Sequence, residues 1–249
     1  MADLATNSVL QHLKSLFPSA QKIGSSADVL KNPWWIVATV AYSGANRPEA
    51  VPVVFKHVLA DLEQVQAAAN VPTEKAQEER LLLARRFREA LFKSGMVSGY
   101  SKAINGLVSL SEATPEDLRD TKTMRNTKLS PDELEKKGEE FFKVLYGDTA
   151  DNVQGLLDKI YPDMGWFSNT LAYGAVYGHL DILDQLETSW VLVGTLIAGD
   201  TARQVGWHLA NARRGGATLE EAKAARQIAI DVSASAGVKW RDGVPDITE

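Results

Sequence analysis

The sequence predicts an all-α protein, and three observations lead to this prediction. Ser130-Pro131-Asp-Glu133 and Thr218-Leu-Glu-Glu221 each place a hydroxyl three residues before a glutamate, which is the capping-box pattern of a helix start. Apolar residues recur at helical spacing, as at Leu81, Ala84 and Phe87. Runs that alternate between polar and apolar residues, which are typical of strands, are nearly absent.

Taken in chain order, the predicted helices have their own start signals. Thr73 precedes the charged run Glu74–Arg88, which is typical of a helix with a solvated face. Thr114-Pro115-Glu-Asp117 places a cap before a first-turn proline. Further predicted caps, continuing along the chain, are Ser130, Asp148, Asp163 and Thr218.

The composition is that of an ordinary globular protein. The chain has 249 residues, of which 45% are hydrophobic and 24% charged, and its net charge is −5. This acidic balance lacks the basic face that nucleic-acid-binding proteins show, so no nucleic-acid partner is predicted. Lysine and arginine are scattered, and no apolar run reaches the roughly 20 residues that cross a bilayer, so no membrane partner is predicted either.

The ends of the chain predict a cytoplasmic protein. The N-terminal residues lack the basic and apolar regions of a secretory signal, and arginine is absent before Arg47, which argues against a mitochondrial presequence. The C-terminal residues Asp246-Ile-Thr-Glu249 do not form a peroxisomal tripeptide. The chain contains no cysteine, which fits a reducing compartment and removes disulfides and thiolate metal sites.

An internal repeat is the second organisational signal. Trp35–Gly44 aligns without gaps on Trp190–Gly199, and a histidine follows in each copy, His57 in the first and His208 in the second. Later in each copy, Arg88–Gly99 aligns on Arg226–Gly237 through an arginine, a glycine and the apolar pattern. The same order of blocks predicts two copies of one helical unit.

This repeat divides the chain into five predicted segments. An N-terminal helical extension covers 1–24, and the first lobe covers 25–110. A polar linker with a connecting helix covers 111–144, the second lobe 145–240, and a C-terminal tail 241–249. The linker is the most polar and proline-punctuated part of the chain, so we expect it to be exposed.

The stretch Thr201–Glu221 carries a resemblance to a known superfamily. A helical histidine, His208, is followed by the break Gly215-Gly216 and by the helix start Thr218-Leu-Glu-Glu221. This order resembles the carboxymuconolactone decarboxylase and alkyl hydroperoxidase D-like superfamily. Its peroxidase members place Cys-x-x-Cys before the histidine, where this chain has Thr201 and Gln204. Since a thiol peroxidase needs a thiolate nucleophile, that activity is excluded.

Two further segments support the resemblance. Ala172-Tyr173-Gly174-Ala-Val-Tyr177 resembles a Tyr-Gly helix of two-lobed fungal members. Gly95–Asn105 resembles the Gly-x-Pro-x-Ala-x-Asn segment, although Ser101 stands where proline is usual. The resemblance implies a duplicated helical bundle with two pseudo-symmetric lobes. It also implies a homo-oligomer, because members of this superfamily bury helix faces between subunits.

The resemblance implies a cofactor-independent acid–base enzyme, a decarboxylase-like carbon–carbon lyase acting on a small carboxylated lactone or keto acid. His208 is then the acid–base residue, with Gln204 as a hydrogen-bond donor. Glu187 stands near the proton-relay glutamate of the peroxidases. Arg203 or Arg88 is the expected anchor for the substrate carboxylate.

A second group of residues is expected to face the substrate; they are Thr201, His57, Tyr100, Tyr173 and Tyr177. Each candidate also has a structural interpretation. A lone helical histidine such as His208 is commonly a packing residue, His57 can form an ion pair with Asp61, and Glu187 suits the first turn of a helix. Aromatic residues at helical spacing are more often core than site.

No metal site or cofactor is predicted. The four histidines are widely separated, without His-x-x-x-His or His-Glu-x-x-His spacing. No glycine-rich phosphate loop or Gly-x-Ser-x-Gly elbow is present. The alternative to an enzyme is a non-catalytic, duplicated helical scaffold for oligomer assembly or for binding of a partner or small ligand.

Overall fold

The prediction of an all-α fold is confirmed. The computed structural model describes residues 4–18 and 24–248, and these contain helices and connecting turns but no strand. Besides short 3₁₀ turns, the helices are α1 (Asn7–Leu16), α2 (Ser26–Lys31), α3 (Trp34–Gly44), α4 (Val51–Ala68), α5 (Thr73–Ser98), α6 (Tyr100–Ala113), α7 (Pro131–Tyr146), α8 (Ala150–Ile160), α9 (Pro162–Trp166), a π-helix (Phe167–Tyr177), α10 (Gln185–Ala198), α11 (Ala202–Arg214) and α12 (Leu219–Ser235).

The capping boxes predicted at Ser130 and Thr218 are present. Each side chain accepts from the amide of the third helical residue, and the glutamate there accepts from the cap amide in return. The structure has two further boxes, formed by Ser25 and Asp28 at the start of α2 and by Asp184 and Glu187 at the start of α10. The caps expected at Asp148 and Asp163 are wrong, because Thr149 precedes α8 and Asp163 lies inside α9.

Helices α3 and α10 pack against each other in the centre of the molecule. Every residue of α3 is buried, as is every residue of α10 from Thr188 onward, so neither helix has a polar face. Gly194 permits this close approach, since a Cβ there would lie 3.1 Å from the carbonyl oxygen of Val37. The central pair is therefore built from apolar side chains and a glycine contact.

The chain leaves these two helices through turns of the same kind. Asn46 and Asp200 both have a positive φ, of 56° and 53°. The next residues, Arg47 and Thr201, have nearly equal backbone angles, with φ of −118° and −114°. The turns thus pair Asn46 with Asp200, which is one residue out of register with the sequence alignment.

The helices that follow also pack in parallel ways. Helix α3 contacts α4, α5 and α12, while α10 contacts α11, α12 and α5. The first hairpin is longer, since α4 and α5 have 18 and 26 residues whereas α11 and α12 have 13 and 17. These are parallels of packing, and the internal duplication itself stays a prediction.

Helix α7 and the π-helix approach each other backbone to backbone. A Cβ at Gly138 would lie 1.8 Å from the carbonyl oxygen of Asn169, and one at Gly174 would lie 2.1 Å from that of Leu134. Only hydrogen fits at both places. The two glycines thereby set the distance between the two helices that carry the tyrosines described below.

The segment expected to be an exposed linker is held to the helical body by ion pairs. Asp120 lies 2.8 Å from Arg85 and 2.6 Å from Arg88, and Arg125 forms a bidentate pair with Glu89. Arg125 also donates to the carbonyl oxygen of Ala175 in the π-helix. Sequence reasoning missed these contacts because the partners are 32 to 50 residues apart in the chain.

Helices α8 and α9 form a hairpin at the edge of the molecule. A short 3₁₀ turn, Gly147–Thr149, precedes α8. Beyond this turn, the main contacts of the hairpin are those of α8 with α7 and of α9 with the π-helix. Ile160, Tyr161 and Trp166 are exposed there by 63%, 60% and 48%. Within residues 4–18 and 24–248, no helix is long and apolar enough to cross a membrane.

Candidate functional site

His208 lies in the second turn of α11 and is buried, with 5% of its surface exposed. Its Nε2 lies 3.3 Å from the hydroxyl of Tyr146, whereas Nδ1 is buried and has no hydrogen-bond partner in the described part of the chain. Burial lowers the pKa of His208 to about 4. The imidazole is therefore neutral at physiological pH and a weaker base than the acid–base role expected of it requires.

Three tyrosines extend from this histidine in a row of contacts, of which only Tyr146 touches the imidazole. The hydroxyl of Tyr146, at the end of α7, lies 3.1 Å from the hydroxyl of Tyr173 on the π-helix. The ring of Tyr177 lies edge-on to that of Tyr173, with 5.2 Å between ring centres. Burial raises the pKa of all three tyrosines above the usual 10, so their hydroxyls stay protonated. We call Tyr146, Tyr173, Tyr177 and His208 the tyrosine–histidine cluster.

Packing explains why these side chains meet. The glycine contacts between α7 and the π-helix bring the tyrosines of the two helices together, and Phe142 stacks on Tyr146 with 4.4 Å between ring centres. Asn211, one turn before the end of α11, accepts at 2.8 Å from Arg214, which also donates to the carbonyl oxygen of Leu145. Helix α11 is thus tied to the end of α7.

Several buried polar atoms around the cluster lack a hydrogen-bond partner in the residues described. Such atoms are rare in proteins, and each one costs about 1–3 kcal/mol when left unpaired. They are His208 Nδ1, Tyr177 Oη, Asn211 Nδ2, Asn169 Oδ1 and Thr170 Oγ1. The arrangement therefore offers unused donors and acceptors beside a chain of hydrogen-bonded hydroxyls.

A buried ammonium group holds the C-terminal end of the π-helix. Lys93 on α5 donates to the carbonyl oxygens of Tyr177 and His179 and to the hydroxyl of Thr188, at 3.1, 2.9 and 2.7 Å. Burial lowers the pKa of Lys93 to about 7, although nearby Glu89 opposes this. Lys93 fixes the end of the helix that carries Tyr173.

Of the residues predicted around His208, Gln204 and Arg203 lie on the same helix, α11, and Thr201 immediately precedes it. Gln204 is half-buried one turn before His208, and Thr201 precedes the helix with its hydroxyl bonded to the carbonyl oxygen of Leu196 at 3.0 Å. Arg203 is exposed, whereas His208 is buried, so they lie on different faces of α11. Of these residues, Gln204 alone is placed one helical turn from the imidazole.

The remaining predicted residues have contacts elsewhere. His57 lies 3.8 Å from Asp61 and packs edge-on against Trp34. Arg88 is bonded to Asp120 and to the carbonyl oxygen of Leu118, and Tyr100 is 79% exposed. Glu187 forms an ion pair with Arg86 besides its capping box. Among the described contacts, none of these four residues reaches the tyrosine–histidine cluster.

Sequence reasoning missed Tyr146, Asn211 and Lys93. Tyr146 meets His208 from 62 positions away in the chain, and nothing in the local pattern around it indicates that contact. Lys93 could have been found from the sequence, because its position continues the buried face of α5, one turn after Glu89 and Ala90. A charged residue on such a face indicates a buried polar contact.

Two curated relatives match most of this chain, and both are named "Peroxisomal protein 2". The one from Saccharomyces cerevisiae is 25% identical over 261 residues, covering 86% of this chain and 92% of that protein. The one from Schizosaccharomyces pombe is 26% identical over 210 residues, covering 84% of this chain and 90% of that protein. No protein-family profile matches the chain. No solved structure matches it either.

These names correct the expectation of a cytoplasmic protein. Both relatives are named for the peroxisome, so the cytoplasmic assignment is wrong. That assignment rested partly on the last residues, Asp246-Ile-Thr-Glu249, which do not form a peroxisomal tripeptide. The tripeptide is one address read by a receptor, and its absence says nothing about other routes into the organelle.

Proposed function

We propose that this chain is a peroxisomal, cofactor-independent acid–base enzyme that acts on a small carboxylated lactone or keto acid. The location follows the names of the two relatives, and the reaction class follows the resemblance of Thr201–Glu221 to the decarboxylases. The observation that carries the proposal is the buried chain of hydrogen bonds from Tyr173 through Tyr146 to His208.

The protonation states favour stabilisation of an anion by neutral donors. When a carboxylate leaves as carbon dioxide, its bonding electron pair stays on the substrate as an enolate. The enolate oxygen can accept hydrogen bonds from the protonated hydroxyls of Tyr146 and Tyr173 and from the N–H of neutral His208. A proton from water then passes along the same groups to the carbon that lost the carboxylate, and the remaining hydroxide combines with the released carbon dioxide as bicarbonate, which balances the reaction. His208 acts here as a hydrogen-bonding relay, since its low pKa makes it a weak base.

Arg214 is the cation best placed to hold the substrate carboxylate in this proposal. It is bonded to Asn211, whose Nδ2 is one of the unpaired atoms beside the cluster. Arg214 is itself exposed, and its contact with Asn211 is what distinguishes it from the anchors expected from the sequence, since Arg203 lies on another face of α11 and Arg88 is paired with Asp120. Because the cluster is buried, substrate entry requires side chains around the π-helix to move.

The experiment is a screen of the purified protein with small lactone acids and β-keto acids. Release of carbon dioxide and incorporation of deuterium from heavy water, followed by NMR, report the two halves of the reaction. The variants Tyr146→Phe and His208→Gln interrupt the hydrogen-bond chain and are compared with the unaltered protein. Equal turnover per folded molecule in all three proteins contradicts the proposal.

The second candidate function is a non-catalytic scaffold that self-associates. It is favoured by the packing of His208, which is hydrogen-bonded, and by the apolar side chains exposed on α8 and α9. In that case the whole panel of acids is unreactive, while Tyr146→Phe and His208→Gln lower the melting temperature. Either function is compatible with the homo-oligomer that the resemblance implies.

A further inference from the structure

A second concave site lies away from the tyrosine–histidine cluster. It is a cleft of about 740 Å³ between α2, α5 and α10, a size within the usual range of small-molecule sites. Much of its wall is apolar, including Phe17, Pro33, Leu82, Leu186 and Trp190. His208 is not among its lining residues. Its lining is described from residues 4–18 and 24–248.

Asn32 supplies a buried donor at the wall of this cleft. Its side chain is 2% exposed, and its Oδ1 accepts from the backbone amide of Trp34 at 3.2 Å. That hydrogen bond fixes the orientation of the amide group. The Nδ2 atom has no hydrogen-bond partner in the described part of the chain. An unpaired donor at this depth is costly without a ligand.

Arg86 supplies a second donor at the same wall. One end of its guanidinium forms an ion pair with Glu187, and the group lies over the ring of Trp35 at 5.8 Å from the ring centre. Its Nε is buried and has no partner among the described residues. Burial lowers the pKa of Arg86 to about 10, so it stays charged at physiological pH. Glu187 offsets that charge within the wall.

The charges around the cleft decide what kind of ligand it suits. The cleft is lined by two cationic side chains, Lys31 and Arg86, and by five carboxylates. The carboxylates are Asp28, Asp181, Asp184, Glu187 and Glu221. This excess of negative charge disfavours an anion, because like charges in a partly buried site repel. The unpaired donors Asn32 Nδ2 and Arg86 Nε disfavour a cation as well, because an ammonium group accepts no hydrogen bond, so the cleft suits an uncharged molecule with an acceptor oxygen.

We propose that this cleft binds an uncharged, largely apolar small molecule through a carbonyl oxygen. Both donors are covered in this structure, so the ligand oxygen reaches Asn32 Nδ2 and Arg86 Nε by displacing the side chains over them, and the apolar body packs against Trp190 and Leu82. The ligand class therefore differs from the carboxylate substrate of the proposed reaction. Neither the residues nor the ligand class depends on the tyrosine–histidine cluster.

Acetophenone and benzoate are matched probes for this proposal, because they share a phenyl ring and differ in charge. Saturation-transfer NMR and titration of the full chain measure their binding. We expect acetophenone to bind at least tenfold more tightly than benzoate. Tighter binding of benzoate overturns the ligand class, and no binding of acetophenone overturns the site.

Two variants locate the binding. Asn32→Asp keeps the acceptor for Trp34 but removes the donor, and Leu82→Trp fills part of the cleft while leaving the Asn32 and Arg86 side chains unaltered. Each should weaken acetophenone binding at least tenfold, whereas Asn105→Asp on an exposed part of α6 should not change it. Circular dichroism checks that each variant is folded. If folded Leu82→Trp binds acetophenone as well as the unaltered chain, the probe lies elsewhere and the proposal fails.

Discussion

The ammonium group of Lys93 lies 3.1 Å from the carbonyl oxygen of Tyr177, the last residue of the π-helix. Long π-helices are rare, and their C-terminal carbonyl groups need partners. Lys93, on a neighbouring helix, donates to the last of these oxygens and also to the carbonyl oxygen of His179 in the turn that follows. The contact links α5 of the first predicted lobe to the helix that carries Tyr173 in the second.

Replacing Lys93 should destabilise the protein strongly. In Lys93→Met the carbonyl oxygens of Tyr177 and His179 stay buried without a donor, so the free energy of unfolding should fall by about 2–5 kcal/mol. Urea denaturation measures this change. Lys56→Met, on the exposed face of α4, is the control and should change the free energy by less than about 0.5 kcal/mol. Equal effects of the two variants would contradict the role assigned to Lys93.

His208 should make stability depend on pH in the acidic range. Burial lowers its pKa from 6.5 to about 4, so below pH 6.5 the unfolded chain binds a proton that the folded chain does not. The folded state is therefore favoured above pH 6.5 and loses stability as the pH falls toward 4. The loss amounts to about 3 kcal/mol from this group.

The variant His208→Gln isolates that dependence. Glutamine does not titrate, so the difference in unfolding free energy between the variant and the unaltered protein should change between pH 6.5 and pH 4, in favour of the variant. Denaturation at a series of pH values measures it. A difference that stays constant over this range would show that His208 is not a buried neutral imidazole.

Gly138 should tolerate no side chain. A Cβ there would lie 1.8 Å from the carbonyl oxygen of Asn169, so Gly138→Ala must separate α7 from the π-helix. We expect a fall in melting temperature of roughly 10 °C or more, corresponding to a loss of a few kcal/mol. Differential scanning calorimetry measures it.

Gly155 provides the matched control within a helix. It lies in α8, where an added Cβ has no neighbour within 4 Å. Because alanine favours helix more than glycine, Gly155→Ala should stabilise the protein by roughly 0.5–1 kcal/mol. Destabilisation by this second variant would mean that the cost at Gly138 is not specific to the close helix contact.

If the proposed reaction is correct, turnover should depend on the hydrogen-bond chain. Removal of one positioned donor or proton-transfer group typically costs a factor of about 10²–10⁴. We expect losses of that size for His208→Gln and Tyr146→Phe in the decarboxylation assay. Tyr161→Phe removes an exposed hydroxyl on the edge hairpin and should leave turnover unchanged. A loss in all three variants would indicate a general effect on folding.

Self-association should depend on the edge hairpin. Ile160, Tyr161 and Trp166 are 63%, 60% and 48% exposed on this one hairpin, and several exposed apolar side chains on one element are typical of an association surface. Light scattering at micromolar concentration should show an oligomer for the unaltered protein and a smaller species for Ile160→Asp combined with Trp166→Arg. Asn152→Asp, on the same hairpin, is the control. A monomeric unaltered protein would contradict the prediction.

The helical class and several helix starts could be predicted because they depend on residues close together in the chain. The boxes at Ser130 and Thr218 join a cap to the third helical residue, so the sequence contains both partners side by side. Trp35–Gly44 and Trp190–Gly199 were recognised as related apolar blocks, and both lie in the central buried pair. The turns that follow these two blocks, however, correspond with a shift of one residue. The backbone angles at Asn46 and Asp200 show this shift, whereas an ungapped alignment cannot.

The sequence by itself determined an all-α chain, the helix starts at Ser130 and Thr218 and the absence of thiol chemistry, because each follows from local spacing or from composition. It also singled out His208, Tyr173 and Tyr177. Only the tertiary structure decided that Tyr146 bonds to His208, and that His57 and Glu187 lie elsewhere. It also decided that His208 is neutral. These outcomes depend on burial and on contacts between distant segments, and such contacts are set by how the helices pack.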